Sequence, residues 1–218
     1  MKKRICGLLI IFLIFTFGVI LKAASSDKMS PAVKNLIKSA QSNKTEKAIT
    51  TYKNLNDEQI KEFYEYLEKN PGKLPPVYFV MVADKVYEND KEKAVFFYNF
   101  GKARAREDVM MCQDTTARQQ LMMYGWIAPK TVQYMQTKSS DTQYIDNLAL
   151  KIIEWDNSYN NRVSPIWACY HGISAFSEKP QLLPKEEFAK IQKQTHEDLK
   201  NMSKSIQEYK KKSKTKSK

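Results

Sequence analysis

The sequence has few of the residues from which catalytic and cofactor sites are usually built. Its 218 residues include two histidines, six glycines and three cysteines. The glycines form no glycine-rich phosphate loop, which argues against nucleotide use. His171 and His196 do not belong to a His-Glu-x-x-His metal motif, and we expect both to be surface side chains. We therefore predict no catalytic residue, no cofactor and no metal ligand.

The spacing of the cysteines and histidines also disfavours reactive chemistry. Cys112, Cys169, His171 and His196 include no close Cys-x-x-Cys pair of the kind that supports a zinc site. Cys169 and His171 are two positions apart, and such residues face away from each other on a helix. A cysteine nucleophile would therefore need His196 as its base. Carboxylates are numerous, but the sequence does not tell which two share a cleft, as glycoside cleavage requires.

Strand patterns are absent as well, since no window alternates apolar and polar residues as a half-buried strand does. Apolar residues instead recur at helical spacing almost throughout, and Ser30-Pro31 and Asn56 or Asp57 are suitable helix caps. We predict an all-α domain of roughly eight to ten helices, with starts near positions 31, 45, 57, 75, 90, 115, 129, 141, 165 and 184.

The sequence does begin with a long apolar run, from Ile5 to Leu21, which three basic residues precede and small residues follow. This is the layout of a secretory signal peptide. We predict that residues 1–25 are a signal peptide, cleaved after Ala23 or Ser25, and that residues 26–209 fold in the periplasm or outside the cell. Because 17 residues can just span a bilayer, an uncleaved inner-membrane anchor that faces the periplasm is the alternative.

The formal net charge of +12 is concentrated at the two ends. It falls to +8 without the four basic residues before position 24, and to +2 without the six lysines of residues 210–218. The folded part is therefore nearly neutral, and nucleic acid is not expected as a partner. Residues 210–218 contain no apolar residue, so we predict a disordered lysine-rich tail. Such a tail either stays solvated or makes weak electrostatic contact with an anionic envelope.

Two cysteines remain once Cys6 leaves with the signal peptide. In an oxidising compartment an even number of cysteines favours a disulfide. Cys112 follows two methionines at the end of a helical stretch, and Cys169 lies among apolar residues, so both are expected to be partly buried. We predict a disulfide between Cys112 and Cys169.

A helical hairpin is predicted from Pro75 to Arg106. In its second helix the small residue Ala94 is followed four positions later by the aromatic Tyr98, and three positions after that by the small Gly101. This pattern resembles the second helix of a tetratricopeptide or Sel1-like unit, in which small residues let two helices approach closely. The resemblance covers about 30 residues, and no second copy follows at a fixed period. It implies a compact multi-helix domain built around the hairpin.

The stretch from Ala94 to Cys112 also resembles exported proteobacterial proteins, some of which are encoded beside interbacterial toxin genes. This resemblance implies a periplasmic protein-binding protein without catalytic activity, and in particular an immunity protein that occludes a toxin with a rigid helical surface. One alternative is a cell-wall-active hydrolase that uses unassigned carboxylates. The other is an envelope-associated structural protein that uses its basic tail.

Three residues are candidates for contact with a protein partner. Arg104 and Arg106 are expected at the charged end of the hairpin, either in surface salt bridges or beside a groove for an acidic partner. Trp167 is expected in the core, with an interface as the alternative, because tryptophan and arginine are common interface hot spots.

The last predicted helix has a narrow apolar seam of nearly heptad spacing. The seam indicates either a long helix that lies across its own domain or a helix that forms a homodimer. It is made of Phe188, Ile191, Thr195, Leu199, Met202, Ile206 and Tyr209.

Overall fold

Helices make up most of the chain. The computed structural model describes residues 29–42 and 44–216, and this part contains eleven α-helices and no strand. The all-α fold class is therefore confirmed. The helices are α1 (Pro31–Gln41), α2 (Thr45–Lys53), α3 (Asp57–Lys69), α4 (Val77–Tyr87), α5 (Lys91–Met110), α6 (Tyr124–Ile127), α7 (Pro129–Lys138), α8 (Thr142–Asn157), α9 (Ile166–Cys169), α10 (Phe188–Lys200) and α11 (Met202–Lys216).

The predicted signal peptide, residues 1–25, lies outside the described residues. Within residues 29–42 and 44–216, no helix combines the length and the apolar character that crossing a membrane requires.

Capping side chains begin several helices where the sequence predicts them. The hydroxyl of Ser30 accepts a hydrogen bond from the backbone of α1, and the Asp90 side chain does the same for α5. Asn56, rather than Asp57, caps α3, because it forms a reciprocal capping box with Gln59.

The predicted hairpin is formed by α4 and α5, which pack closely along their length. A β-carbon at Gly101 would lie 2.8 Å from the carbonyl oxygen of Pro76, so this approach requires glycine. Aromatic rings fill the core beside the hairpin: Phe79 and Phe100 are fully buried, and the ring centre of Phe100 lies 4.4 Å from that of Trp155 on α8. The hairpin is thus the centre of the domain.

A second core surrounds the disulfide between Cys112 and Cys169, whose Cα atoms lie 5.4 Å apart. Both cysteines are buried, and the bond joins the end of α5 to the end of α9. The predicted disulfide is confirmed.

Three helical predictions differ from the structure in extent. Residues 115–123 form a 3-10 helix before the short α6, and the helix after Pro165 ends already at Cys169. The last helix is interrupted at Asn201, whose side-chain amide donates to the carbonyl of Glu197 and competes with the regular ladder. The backbone is helical as far as Lys216, within the tract for which composition predicts disorder.

The seam of the last helix faces its own domain from Phe188 to Ile206, whereas Tyr209 at its end is exposed. Thr195 of α10 is buried, and α10 and α11 both pack against α8. A helix laid across its own domain is therefore the observed arrangement, and a homodimer through it stays a prediction.

Candidate functional site

Charged side chains meet inside the fold where α5, α8 and α10 converge. Three of them belong to α5 and share a face, because residues three and four apart on a helix lie side by side. The others come from α8, from the loop that follows it and from α10. We call this set the charge cluster. It consists of Arg104, Glu107, Asp108, Asp156, Arg162 and His196.

Asp156 is the centre of the charge cluster. Its Oδ1 accepts a hydrogen bond from Arg104 Nη1 at 3.2 Å, and its Oδ2 accepts one from Arg162 Nη2 at 2.7 Å. Nε2 of His196 lies 2.9 Å from the same Oδ2, to which Gln192 also donates at 3.0 Å. Since Gln192 and His196 both belong to α10, Asp156 joins α10 to the central helices.

Two further carboxyl groups belong to α5 and are as fully buried as Asp156. Glu107 is 1% exposed and accepts a hydrogen bond from Arg162 Nη1 at 3.0 Å. Asp108 accepts one from the indole nitrogen of Trp167 at 2.7 Å. Burial raises the pKa of Asp108 to about 6, even though Arg104 and the indole hydrogen bond act in the opposite direction.

The charge cluster contains three carboxyl groups but two guanidinium groups. Burial and the neighbouring Asp156 raise the pKa of Glu107 to about 8. Burial acts on Asp156 too, but Arg104 and Arg162, with hydrogen bonds from α10, outweigh it and lower its pKa. The raised pKa favours the protonated form of Glu107, and in that form two carboxylates stand opposite two guanidinium groups. Such a balance is what a buried ion-pair network requires.

Glu107, Asp156 and His196 also have the geometry of a metal site, since one ligand atom from each lies within 4.8 Å of the others. Arginines already bond to both carboxyl groups. A metal cation would meet these guanidinium groups in a buried place, where repulsion between like charges is strong. The donor set therefore fits an ion-pair network better than a metal centre.

The opposite pKa shifts of Glu107 and Asp156 resemble those of an acid and base pair. A cleft of about 940 Å³ reaches Asp156, Arg104 and Arg162, but Glu107 does not line it. A substrate in this cleft would meet Asp108 and Asp156, and Arg104 already forms an ion pair with each of them. The arrangement is better suited to holding helices together than to proton transfer.

A second feature lies on the surface. In the described part of the chain, nine large hydrophobic side chains are prominently exposed, and seven of them belong to two short segments, 122–127 and 170–176. We call these seven the apolar surface. It consists of Met122, Met123, Trp126, Ile127, Tyr170, Ile173 and Phe176.

The two segments of the apolar surface meet at one groove, which is lined by Met123 and Ile127 of the first segment and by His171 of the second. The second segment is also bonded to the start of the 3-10 helix that leads into the first. The backbone amide of Ile173 donates to the hydroxyl of Thr116 at 2.8 Å, and that of Ser174 donates to the carboxylate of Asp114 at 2.8 Å. Asp114 accepts hydrogen bonds from the hydroxyl and the backbone amide of Thr116 and from the backbone amide of Ser174, and these hold its pKa well below its usual range. Cys169, next to the second segment, is bonded to Cys112, and the side-chain amide of Gln120, close to the first segment, donates to the backbone carbonyl of Ala168 at 3.0 Å.

The groove at which the two segments meet is apolar and has a volume of about 360 Å³. Met123, Ile127 and His171 line one side of it, and Val77 and Met81 of α4 line another. A groove of this size accepts one or two large apolar side chains of a partner.

The three predicted partner-binding residues, Arg104, Arg106 and Trp167, do not form one surface in the structure. Arg104 is 4% exposed and belongs to the charge cluster, so its predicted surface position is wrong. The reason is the convergence of α8 and α10 on this part of α5, which surrounds the guanidinium with carboxylates. Trp167 is buried, which confirms the prediction that it belongs to the core. Arg106 lies at the surface, where it forms an ion pair with Asp198 of α10.

The prediction of a surface position is also wrong for His196, whose side chain is 14% exposed because α10 turns it toward Asp156. His171 is exposed beside the groove, in agreement with its prediction. Cys169 is bonded to Cys112 and has no free thiol for a nucleophile or a zinc ligand.

Asp156 could have been noticed in the sequence. It continues the buried stripe of α8 after Ile145, Ala149 and Ile152, where a charged residue demands a partner. Trp126 and Phe176 carried no such signal, because an exposed aromatic residue has the same sequence pattern as a buried one.

No family model, no curated protein and no solved structure matches the chain.

Proposed function

We propose that this chain is an exported protein that binds another protein through the apolar surface and catalyses no reaction. The observation that carries the proposal is the concentration of exposed hydrophobic side chains on two adjoining segments. Soluble proteins rarely leave a large contiguous apolar area in water, and such areas commonly mark sites of interaction.

The size of the exposed area suits a protein partner. Trp126 is 79% and Phe176 is 94% exposed. Together with Tyr170 they offer on the order of 500 Å² of aromatic area, to which the methionines and isoleucines add. A typical interface buries about 800 Å² on each partner.

The apolar surface is also partly preorganised for binding. The disulfide of Cys169 and the hydrogen bonds from Ile173 and Ser174 to Thr116 and Asp114 hold the second segment, 170–176, in place before a partner arrives. Less conformational entropy is then lost on association, which strengthens binding. The methionines supply side chains that adapt to the shape of the partner.

The partner that we infer is a folded protein with an apolar projection that enters the groove beside Met123 and Ile127. Occlusion by a rigid helical surface needs no catalytic group. It is the mode of action expected of an immunity protein that blocks a toxin delivered to the same compartment, and we propose this role for the chain.

The proposal is tested by site-specific crosslinking in the producing cell. Trp126 is replaced with a photoreactive phenylalanine analogue, and Leu150 is replaced in a matched control. Leu150 is 57% exposed but lies on α8, outside the apolar surface. We expect a discrete covalent adduct from position 126 and none from position 150.

A further substitution, Phe176→Ser, is expected to abolish the adduct at position 126, because both side chains contact the same partner. Absence of the adduct, or equal adducts from positions 126 and 150, would contradict the proposal. If the crosslinked protein is a toxin, its toxicity is expected to return when a variant that has lost partner binding, such as Phe176→Ser, replaces the wild-type chain.

A cell-wall hydrolase is the second candidate, because Glu107 and Asp156 have pKa shifts in opposite directions. It is less well supported, since Glu107 does not reach the cleft and both carboxyl groups are bonded to arginine.

A further inference from the structure

A small pocket lies between four of the helices. It is formed by α5, α7, α8 and the first turns of α11, and its volume is about 240 Å³. Most of its wall is apolar, and this part is supplied by residues that include Val132, Met135, Ile145, Leu148 and Met202. The pocket can therefore take up a hydrocarbon group.

The charged side chains that line this pocket are lysines. Lys102 of α5 and Lys138, the last residue of α7, contribute to the wall, and no acidic residue of the described part of the chain does. Nζ of Lys138 lies 5.5 Å from the ring centres of both Tyr134 and Tyr144. The charge around the pocket is thus positive.

Lys102 has no carboxylate to balance its charge. Its Nζ lies 5.8 Å from the ring centre of Tyr98, and among the described residues no carboxylate forms an ion pair with it. The surrounding protein displaces water from the ammonium group, and this desolvation lowers its pKa. An anion beside such a group is strongly attracted, because the water that would screen the two charges is partly excluded.

We propose that this pocket binds an unbranched fatty acid of medium chain length, with its carboxylate at Lys102 and its hydrocarbon chain between Val132, Met135 and Met202. The volume indicates the length of the chain. It equals that of roughly eight water molecules at about 30 Å³ each, and a methylene group is similar in size to a water molecule. A chain of about eight carbon atoms therefore matches the pocket.

The pocket is separate from the groove of the apolar surface, since the two share no lining residue. The fatty-acid site is therefore independent of the proposed protein partner. Met135 and Met202 line the pocket, whereas Met81 and Met123 line the groove. Methionine methyl groups can thus report which of the two places a ligand occupies.

The test follows the NMR signals of isotope-labelled methionine methyl groups while the chain, as processed by the producing cell, is titrated with octanoate. Octanol has the same chain length without the charge, and butanoate has the same charge on a shorter chain. We expect octanoate to shift the signals of Met135 and Met202 and to leave those of Met81 and Met123 unchanged. Butanoate should bind at least about tenfold more weakly, because it removes fewer methylene groups from water.

The role of the charge is tested with Lys102→Met, which removes the ammonium group and keeps an aliphatic side chain. Lys91→Met is the matched control, because it makes the same change in charge on the same helix. Lys91 also lies beside a tyrosine ring, that of Tyr87, but does not line the pocket. We expect Lys102→Met to bind octanoate at least about tenfold more weakly than the wild type, because a hydrogen bond between charged groups is lost.

Lys91→Met should bind octanoate like the wild type, and Lys102→Met should bind octanol as the wild type does. Three results would overturn the proposal. One is that octanoate leaves the signals of Met135 and Met202 in place or shifts those of the groove instead. The others are that Lys102→Met binds octanoate as tightly as the wild type, and that the wild type binds octanol as tightly as octanoate.

Discussion

Nε2 of His196 lies 2.9 Å from Oδ2 of Asp156, so a side chain of α10 completes the hydrogen bonding of a carboxylate on α8. The same carboxylate accepts hydrogen bonds from Arg104 and Arg162. One residue thus connects the last part of the fold to its central hairpin, and removal of its charge should loosen several elements together.

Asp156→Ala is expected to lower the free energy of unfolding by about 3 to 5 kcal/mol, because it removes the shared partner of the buried Arg104 and the partly buried Arg162. Asp146→Ala, at an exposed position on the same helix, serves as the control and should change stability by less than about 0.5 kcal/mol. Chemical denaturation measures both variants. A loss at Asp156 no larger than the control's would show that the charge cluster does not hold α10.

The raised pKa of Glu107 predicts that the stability of the protein depends on pH. Its folded pKa of about 8 lies above the ordinary value of 4.5, so the folded state keeps a proton that the unfolded chain loses between these values. The resulting stabilisation is complete below about pH 4.5 and is lost as the pH rises to about 8. Glu107→Gln mimics the protonated form and cannot titrate.

Between pH 5.5 and 8.5 the wild type should therefore lose roughly 2 to 4 kcal/mol relative to Glu107→Gln. Denaturant melts at several pH values measure this difference. Glu154→Gln, at an exposed position on α8, should follow the wild type. Parallel pH profiles for wild type and Glu107→Gln would mean that Glu107 is ionised in the folded protein.

The disulfide should contribute on the order of 4 kcal/mol, since it closes a loop of 57 residues. Because both cysteines are buried, reduction by dithiothreitol should require opening of the second core and should be slow. Peptide mapping without reductant identifies the bond, and melting of the Cys112→Ser, Cys169→Ser double variant measures its effect. Two free thiols in the native protein would refute the pairing.

The sequence was sufficient to predict most of the helices, because caps, prolines and helical spacing are local signals. It was also sufficient for the disulfide, because two cysteines allow one pairing once Cys6 is assigned to the predicted signal peptide. It was not sufficient for the charge cluster. Arg104 and Asp156 are 52 positions apart, and Asp156 and His196 are 40 apart, so no local pattern brings these residues together. Arg104 was expected at the surface because its sequence neighbours are charged, and only the packing of α8 and α10 buries it.

The start of the mature protein is a further prediction. Small residues follow the apolar run only around positions 23 to 26, so the exported chain should begin at Ala24 or Ser26. Mass analysis of the protein from the periplasmic fraction determines this residue. A chain that begins at Met1 and sediments with membranes would favour the uncleaved anchor.

The central claim is that the apolar surface binds a protein, and the most direct test is a calorimetric titration with the crosslinked partner. The Trp126→Ala, Phe176→Ala variant should bind at least about a hundredfold more weakly, because exposed aromatic anchors dominate such interfaces. Its melting temperature should equal that of the wild type, since neither side chain is buried, and Leu150→Ala should bind normally. Affinity within about twofold of the wild type for the double variant would contradict the account.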